Sequence, residues 1–247
     1  MIDIFVHLLL GVNKILFNNL GLTIIFIGAL SRVIFYPFMA HSMRYSQVMR
    51  DLKPRLDEAK KKYKGDVRKM SEEQNRIFRE VGVNPAAGGA ISCLGLIVQF
   101  AVFFLLFQSL TKVIASGVET RFLIWDLAKP DSFRIQSIPT SLPGFLVLLT
   151  AFLTFIQSKM MMPVVSPQTK INKGKAKKEP DFSETLTASQ GTFAYFIPFL
   201  IIFWGINLAA GLTIYWLVST VFGIIQQYYI SGVGGLKPWA QKIKLVK

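Results

Sequence analysis

Charged residues, cysteine and histidine are all scarce in this sequence of 247 residues. Asp, Glu, Lys and Arg make up 17% of it, against about 25% in a typical soluble domain. The single cysteine excludes a disulfide within the chain, and the two histidines, His7 and His41, have no metal-ligand spacing. The sequence therefore indicates no metal and no redox cofactor.

Acidic residues are scarcer than basic ones, with 14 Asp and Glu against 28 Lys and Arg and a net charge of +14. The basic residues are not spread over a compact soluble surface. They cluster between long uncharged runs, so a soluble nucleic-acid-binding domain is not predicted. Hydrophobic residues make up 52% of the chain, and the mean hydropathy is +0.44. This composition predicts an all-α polytopic membrane protein.

Four uncharged or nearly uncharged runs are long enough to cross a bilayer, which takes about 20 residues of helix. The last run, 193–230, is too long for one helix and contains Asn207 and Gly211 at a plausible turn. We therefore predict five spans with the following organisation: 1–19 external amphipathic helix, 20–40 first span, 41–84 cytoplasmic helical hairpin, 85–111 second span, 112–141 external loop, 142–158 third span, 159–191 basic cytoplasmic loop, 192–208 fourth span, 212–230 fifth span and 231–247 basic cytoplasmic tail.

The distribution of Lys and Arg predicts the orientation, because basic loops stay on the cytoplasmic side. The hairpin, the basic loop and the tail together hold 22 basic residues, and the opposite side holds five. We expect a plasma-membrane protein with its N-terminus outside and its C-terminus in the cytoplasm.

The first residues are not predicted to be a cleaved signal peptide, because Asp3 stands where basic residues would be expected. Polar positions from His7 to Asn18 recur at helical spacing opposite an apolar face. This pattern is typical of a helix lying in the outer membrane interface, and equally of a helix packed on the bundle.

The segment 41–84 predicts two short amphipathic helices joined by a turn at Lys64, Gly65 and Asp66. Its outward face is strongly basic, which fits a docking surface for lipid headgroups, ribosomal RNA or a targeting factor; it fits equally a solvated face that only enforces topology. The lysine-rich run 170–184 is assigned no fold.

Arg32 is the most informative residue, because an arginine at mid-helix in a span costs about 2.5 to 3.5 kcal/mol. Its side chain either reaches back to the cytoplasmic surface or faces water held inside the protein. Polar side chains in other spans favour a wet cavity, although each alone is suited to bonding between helices. These are Gln99, Thr150, Thr154, Gln157, Trp216 and Ser219.

No predicted span contains an acidic residue, so Arg32 has no partner of opposite charge in the membrane. A transporter coupled to protons or cations usually needs an intramembrane Asp, Glu or His, and none is present in the spans. No nucleophile and base pair or phosphate-binding loop is evident either, so an enzyme is not predicted. A channel or carrier for a small anion, and a structural scaffold, remain open from the residues alone.

Several strings resemble the YidC-type membrane protein insertases, and they occur in the order found in that family. They cover most of the chain and are SRVIFYP (31–37), LKPRLDEAKKKYKGD (52–66), NPAAG (84–88) followed by Gln99, FLIWDL (122–127) and AAGLTIYW (209–216) followed by Gln226 and Gln227. The chain is similar to the minimal five-helix bacterial form of the family.

The resemblance implies a chaperone that inserts nascent helices into the bilayer without nucleotide hydrolysis. It implies that Arg32 lies in a hydrophilic groove with Gly28, Gln99 and Trp216, and that the hairpin recruits substrates. Nascent membrane proteins and the bilayer are the implied partners, and a ribosome, targeting factors or a secretion channel are further candidates. No DNA partner is expected.

Overall fold

The computed structural model describes residues 2–63, 66–134, 141–162 and 196–237, with residues 85–96 as backbone only. Lys64 and Gly65 of the predicted turn lie outside these residues. So do the end of the predicted tail and all of the predicted basic loop except its start. In the described part, the helices are α1 Ile2–Ile15, α2 Leu20–Ile34, α3 Tyr36–Lys62, α4 Val67–Glu80, α5 Pro85–Ala115, α6 Phe145–Met161, α7 Phe196–Gly205 and α8 Ala210–Ser231, with a short 3₁₀ turn at Gly234–Leu236.

The chain forms two compact units, Met1–Phe35 with Val102–Lys247, and Tyr36–Ala101. In the first unit, α8 packs against both α2 and α6. Small residues allow the close approach: a Cβ at Gly28 of α2 would lie 3.2 Å from Val218 Cγ1, and a Cβ at Gly211 of α8 would lie 3.1 Å from Ile24 Cδ1. These contacts follow the same order along both helices, so α2 and α8 run parallel.

Helix α6 also runs parallel to α8, because Thr154 contacts Thr220 and Gln157 contacts Gly223. The part of α5 in this unit runs the other way, with Leu110 near Gly211 and the Phe103 ring against Trp216. The apolar core of the unit includes fully buried leucines from α1, α2, α5 and the connection before α6, namely Leu9, Leu20, Leu106, Leu110 and Leu127.

The first predicted span, 20–40, is divided in the structure. Helix α2 ends at Ile34, Phe35 caps it by donating its N–H to the Ser31 carbonyl, and α3 begins at Tyr36. Pro37 explains the division, because a proline ring clashes with the carbonyl four residues earlier and is tolerated only in the first turn of a helix. Arg32 consequently lies in the last turn of α2 rather than past the middle of a longer helix.

Helix α1 turns away from α2 by 117°. It packs on the first unit through Leu9, which is fully buried, and through Asn13, whose Oδ1 accepts a hydrogen bond of 3.1 Å from the Thr23 hydroxyl. Ile4 and Leu8 on its other side are exposed. The helix therefore combines an apolar exposed strip with a face packed on the bundle.

Two short antiparallel pairs lie in the connection between α5 and α6. Strand β1 (Arg121–Phe122) pairs with β2 (Trp125–Asp126), and β3 (Ser132–Phe133) pairs with β4 (Leu142–Pro143). Asp131 binds the start of α6, where its Oδ2 accepts the Leu146 N–H at 2.6 Å. The connection thus caps the N-terminal end of α6.

The second unit contains α3, α4 and the first part of α5. Helices α3 and α4 pack through Leu52, Ala59 and Ile77, which are buried. An ion pair of 2.6 Å between Arg55 and Glu80 joins their exposed sides. A small cavity of about 200 Å³ lies between them, lined by Arg55, Glu58, Ala59, Lys62, Tyr63, Glu73 and Ile77.

Two helices in the described part of the chain, Ile97–Ala115 and Ala210–Ser231, are long and apolar enough to cross a membrane, and the bent pair α1 and α2 adds up to one more. Helices α6 and α7 are apolar but shorter. The structure is that of a helical membrane protein.

Candidate functional site

The candidate site is the place where α2, α6 and α8 meet around Arg32. The Arg32 side chain is partly buried. None of the three helices contains an Asp or Glu, so they supply no carboxylate to the guanidinium. Its position in the last turn of α2 is favourable for a cation, because the free carbonyl groups there carry partial negative charge.

Gly223 of α8 brings Arg32 and Gln157 together. A Cβ atom at Gly223 would lie 3.7 Å from Arg32 Nη1 and would overlap the Gln157 side-chain amide. The space that a Cβ would fill is therefore occupied by the Gln157 amide, and the Arg32 guanidinium lies in van der Waals contact with that space. An arginine and a glutamine so placed both present N–H donors, which suits an anionic or carbonyl-rich ligand.

Further polar groups surround this pair. Gln226 of α8 donates from Nε2 to the Arg32 carbonyl at 3.2 Å, which satisfies one of the free carbonyls at the end of α2. The hydroxyls of Thr154 and Thr220 lie 3.5 Å apart between α6 and α8. Both threonines are buried. The contact between these two helices is therefore polar around the site.

Several buried oxygen atoms of α8 have no hydrogen-bond partner among the described residues. They are Thr213 Oγ1, Ser219 Oγ, Gln226 Oε1 and Gln227 Oε1. A buried acceptor or hydroxyl without a partner costs about 1 to 3 kcal/mol. Helix α8 therefore carries several polar atoms whose burial is unfavourable in the protein alone.

The other predicted residues differ in their surroundings. Gly28 is buried and allows α2 to approach Val218 and Tyr215 of α8. The Thr150 hydroxyl donates to the Leu146 carbonyl of its own helix at 2.7 Å, and its side chain is fully buried. Trp216 is partly buried, with its ring edge-to-face against Phe103 at 5.8 Å. Gln99 belongs to the second compact unit, and its place in the site stays a prediction.

Gly223 is a member of the site that sequence reasoning missed, and Gln226 entered only as part of a resembling string. Both follow Ser219 on α8 at helical spacing, four and seven residues later. That spacing was a usable signal, because residues four and seven apart share a helix face. A glycine within a span is ordinarily attributed to helix packing, and only the side chains it contacts reveal its place beside Arg32.

Comparison with known proteins gives one family. The family model described as 60Kd inner membrane protein matches residues 12–234. Relatives include the membrane protein insertase MisCA of Bacillus subtilis, 28% identical over 230 residues, and the membrane protein insertase YidC 1 of Streptococcus agalactiae serotype III, 33% identical over 213 residues. The membrane protein insertase YidC of Syntrophobacter fumaroxidans is 29% identical over 218 residues.

The matches cover most of this chain but differing shares of the relatives. They include 92%, 85% and 87% of the chain for the Bacillus, Streptococcus and Syntrophobacter proteins. The corresponding shares of those proteins are 76%, 66% and 35%. The chain therefore spans about a third of the length of the Syntrophobacter relative.

Proposed function

Because the chain belongs to the 60Kd inner membrane protein family, whose members here include YidC-type insertases, we propose that it inserts nascent helices into the bacterial plasma membrane. The observation that carries the proposal is the Arg32 guanidinium, which is partly buried beside Gln157 and Gly223 between helices without a carboxylate. A cation to which the surrounding helices supply no carboxylate is suited to receive one from a substrate.

The proposed topology has five spans, formed by α2, α5, α6, α7 and α8, with α1 on the outer surface. The parallel course of α2, α6 and α8, opposite to that of α5 in the first unit, supports this arrangement. The Lys and Arg distribution supports an external N-terminus and a cytoplasmic C-terminus. Under this topology Arg32 lies toward the cytoplasmic end of its span, close to the side from which a substrate would arrive.

Helices α3 and α4 are proposed to recruit substrates on the cytoplasmic side. The segment 41–84 holds 12 basic and seven acidic residues, and most of those that the structure describes are exposed. Such a mixed surface suits lipid headgroups, ribosomal RNA or a targeting factor. A ribosome and a secretion channel are candidate partners on the same grounds.

The proposed mechanism begins with a polar, often acidic, flank of a nascent helix entering from the cytoplasm. Arg32 and the amide of Gln157 replace part of the hydration that the flank loses on entering the membrane. The oxygens of Ser219, Gln226 and Gln227, which have no partner in the described part of the chain, are proposed acceptors for substrate N–H groups or water. The site lowers the barrier to moving a charged flank without forming a covalent bond, so no enzyme chemistry is involved.

The apolar segment of the substrate drives completion of the step. Transfer of a helix from the site into lipid buries apolar surface at roughly 25 cal/mol per Å². An external-positive membrane potential assists an acidic flank by about 2.3 kcal/mol per elementary charge per 100 mV. Burial and the potential are the proposed sources of free energy for insertion, in place of nucleotide hydrolysis.

Gln99 and Trp216 are proposed to line the path, together with Gln157 and Ser219. Gly28 contributes by permitting close packing of α2 on α8, since a larger side chain there would displace Val218 or Tyr215. Thr150 and Thr154 contribute from buried positions on α6. Photo-crosslinkers therefore belong at Gln99, Gln157 and Trp216 rather than at Gly28.

The test uses the full chain in liposomes with a single-span substrate synthesised in a cell-free system. We expect protease-protected substrate although no nucleotide-hydrolysing protein is added beyond those of the translation system. We also expect crosslinks of stalled chains to Gln157 and Trp216, but not to the exposed Phe152 on α6. Flux of small anions without substrate polypeptide, and no protection, would favour a channel instead. No protection and no flux would favour a scaffold.

A further inference from the structure

The tip of the β1–β2 hairpin is apolar and almost fully exposed. Its two loop residues, Leu123 and Ile124, are 81% and 85% exposed, whereas the flanking Phe122 and Trp125 pack on the apolar core of the first unit. We call Leu123 and Ile124 the apolar tip. Large apolar side chains are seldom found fully exposed in the loop of a hairpin that faces water.

The backbone conformation of the apolar tip is also unfavourable for large side chains. Leu123 has a φ of 54°, in the left-handed region where side chains other than Asn, Asp and Gly are strained. Two-residue hairpin loops strongly prefer Asn-Gly, Asp-Gly or Gly at the first position for this reason. The sequence thus places two large apolar residues where both solvent and backbone conformation disfavour them, a conflict typical of functional sites.

The hairpin is held firmly on the bundle, so the tip is projected rather than loose. The Phe122 ring packs directly on Gly21 of α2. The carbonyls of Leu127 and Lys129 accept the N–H groups of Gly211 and Ala210 at 3.1 and 2.7 Å. The hairpin base is therefore fixed to the N-terminal ends of two helices that we propose cross the membrane.

A second exposed apolar residue adjoins the same end of α2. Phe17 lies in the turn before Leu20, is 90% exposed and has a φ of 58°. Its neighbour Ile15 is 77% exposed. Phe17 and the apolar tip therefore share three features, namely large apolar side chains, strained backbone and attachment beside the first turn of α2.

We propose that the apolar tip and Phe17 insert into the lipid leaflet at the N-terminal ends of α2 and α8, and anchor this end of the bundle in the membrane interface. The occupant is lipid because exposed cations adjoin the apolar residues: Lys14 precedes Phe17, and Arg121 begins the hairpin. Apolar residues bordered by lysine and arginine match acyl chains beneath anionic headgroups. The proposal is independent of insertase activity.

The experiment places an environment-sensitive fluorophore on Ile124→Cys in a Cys93→Ser background of the full chain. The matched control is Lys129→Cys, whose side chain is 78% exposed in the same connection. Both proteins are reconstituted in vesicles of phosphatidylcholine and phosphatidylglycerol, with or without lipids spin-labelled high on the acyl chain. We expect a blue-shifted emission and severalfold stronger quenching by the spin-labelled lipid at position 124 than at position 129.

Equal quenching by aqueous iodide at the two positions, without lipid quenching, would overturn the proposal. Protection from both quenchers at position 124 would also overturn it, because another part of the chain or a second copy would then cover the tip. The same measurement on Phe17→Cys provides an independent site, and lipid quenching there is expected as well. Normal thermal denaturation of each labelled protein in detergent shows that the label has not disturbed folding.

Discussion

Arg32 Nη1 lies 3.7 Å from the position that a Cβ atom would occupy at Gly223, and the Gln157 amide already fills that position. The helices α2, α6 and α8 thus bring a guanidinium, an amide and a glycine close together. Because of this spacing, the residue at position 223 determines where the N–H donors of Arg32 and Gln157 can lie. A substitution of Gly223 therefore changes the geometry of the site without changing its charge.

Enlarging Gly223 is expected to impair insertion. Gly223→Leu must displace Gln157 and crowd Arg32, at an overpacking cost of about 1 to 3 kcal/mol. Gly223→Ala should have a smaller effect, since the end of Gln157 is flexible and alanine favours the helix by about 1 kcal/mol. Insertion yield in liposomes and the midpoint of thermal denaturation measure the two effects.

The matched control is Gly11→Ala, in α1, where an added Cβ would meet nothing within 4 Å. It should retain full insertion and unchanged or higher thermal stability. Full insertion by Gly223→Leu in a properly folded protein would show that the packing at this point is irrelevant to function.

Ser219→Ala is expected to raise stability while lowering insertion. Its hydroxyl is buried without a partner among the described residues, and removing such a group gains on the order of 1 kcal/mol. Ser71→Ala on the exposed side of α4 controls for the helix propensity of alanine. A loss of stability in Ser219→Ala beyond that control would indicate that the hydroxyl has a stabilising partner and is not held for substrate.

Asp131 is expected to stabilise the start of α6. Its carboxylate accepts the Leu146 and Val147 N–H groups at 2.6 and 3.3 Å, and the Trp125 Nε1–H donates to it at 3.0 Å. Asp131→Ala should lower stability by about 0.5 to 2 kcal/mol, the usual value for a lost cap. Asp131→Asn should keep most of the stabilisation, because its amide oxygen can still accept a hydrogen bond. A thermal midpoint in Asp131→Ala equal to that of the native protein would contradict this role.

Asp66 should make the first turn of α4 sensitive to acid. The Lys69 N–H donates to its Oδ1 at 3.1 Å, and this bond, together with the Lys69 ammonium, lowers the pKa of the carboxyl. A lowered folded pKa means that the stabilisation is complete above the unfolded pKa of about 3.9 and is lost as the pH falls through the folded value.

Hydrogen exchange of the first α4 amides measures this, with Asp66→Asn as the control that keeps a capping oxygen but does not titrate. After correction for intrinsic exchange, protection in the native protein should fall relative to the control as the pH drops below about 4. Parallel profiles in the two proteins would mean that the carboxylate does not cap the helix.

Apolar runs and ordered strings predict the helical membrane architecture and the family, because span length and hydropathy are local properties. The family assignment is confirmed by the match over residues 12–234. The division of the first predicted span at Phe35 was readable in principle from Pro37, but an uncharged run does not reveal where a helix stops. Strands of two residues, such as Arg121–Phe122, are fixed by long-range packing and leave no periodic signal.

The site was partly predictable, because some of its residues are visible from local features of the sequence. Arg32 is conspicuous because a charge in an apolar run is locally visible, and Thr154 and Gln157 share a face at helical spacing. The contact of Gln157 and Arg32 with Gly223 depends on how α6 and α8 pack, which the sequence of one helix does not specify. Whether Gln99 belongs to the same site remains a prediction.

The central claim is that the Arg32 cation receives an acidic substrate flank. Its most direct test measures liposome insertion of one single-span substrate with either an Asp-containing or an Asn-containing flank, by native protein, Arg32→Ala and Arg32→Lys. We predict that Arg32→Ala abolishes insertion of the acidic substrate, spares much of the neutral one, and that Arg32→Lys restores a substantial part. Undiminished insertion of the acidic substrate by Arg32→Ala, or equal losses for both flanks, would contradict the account.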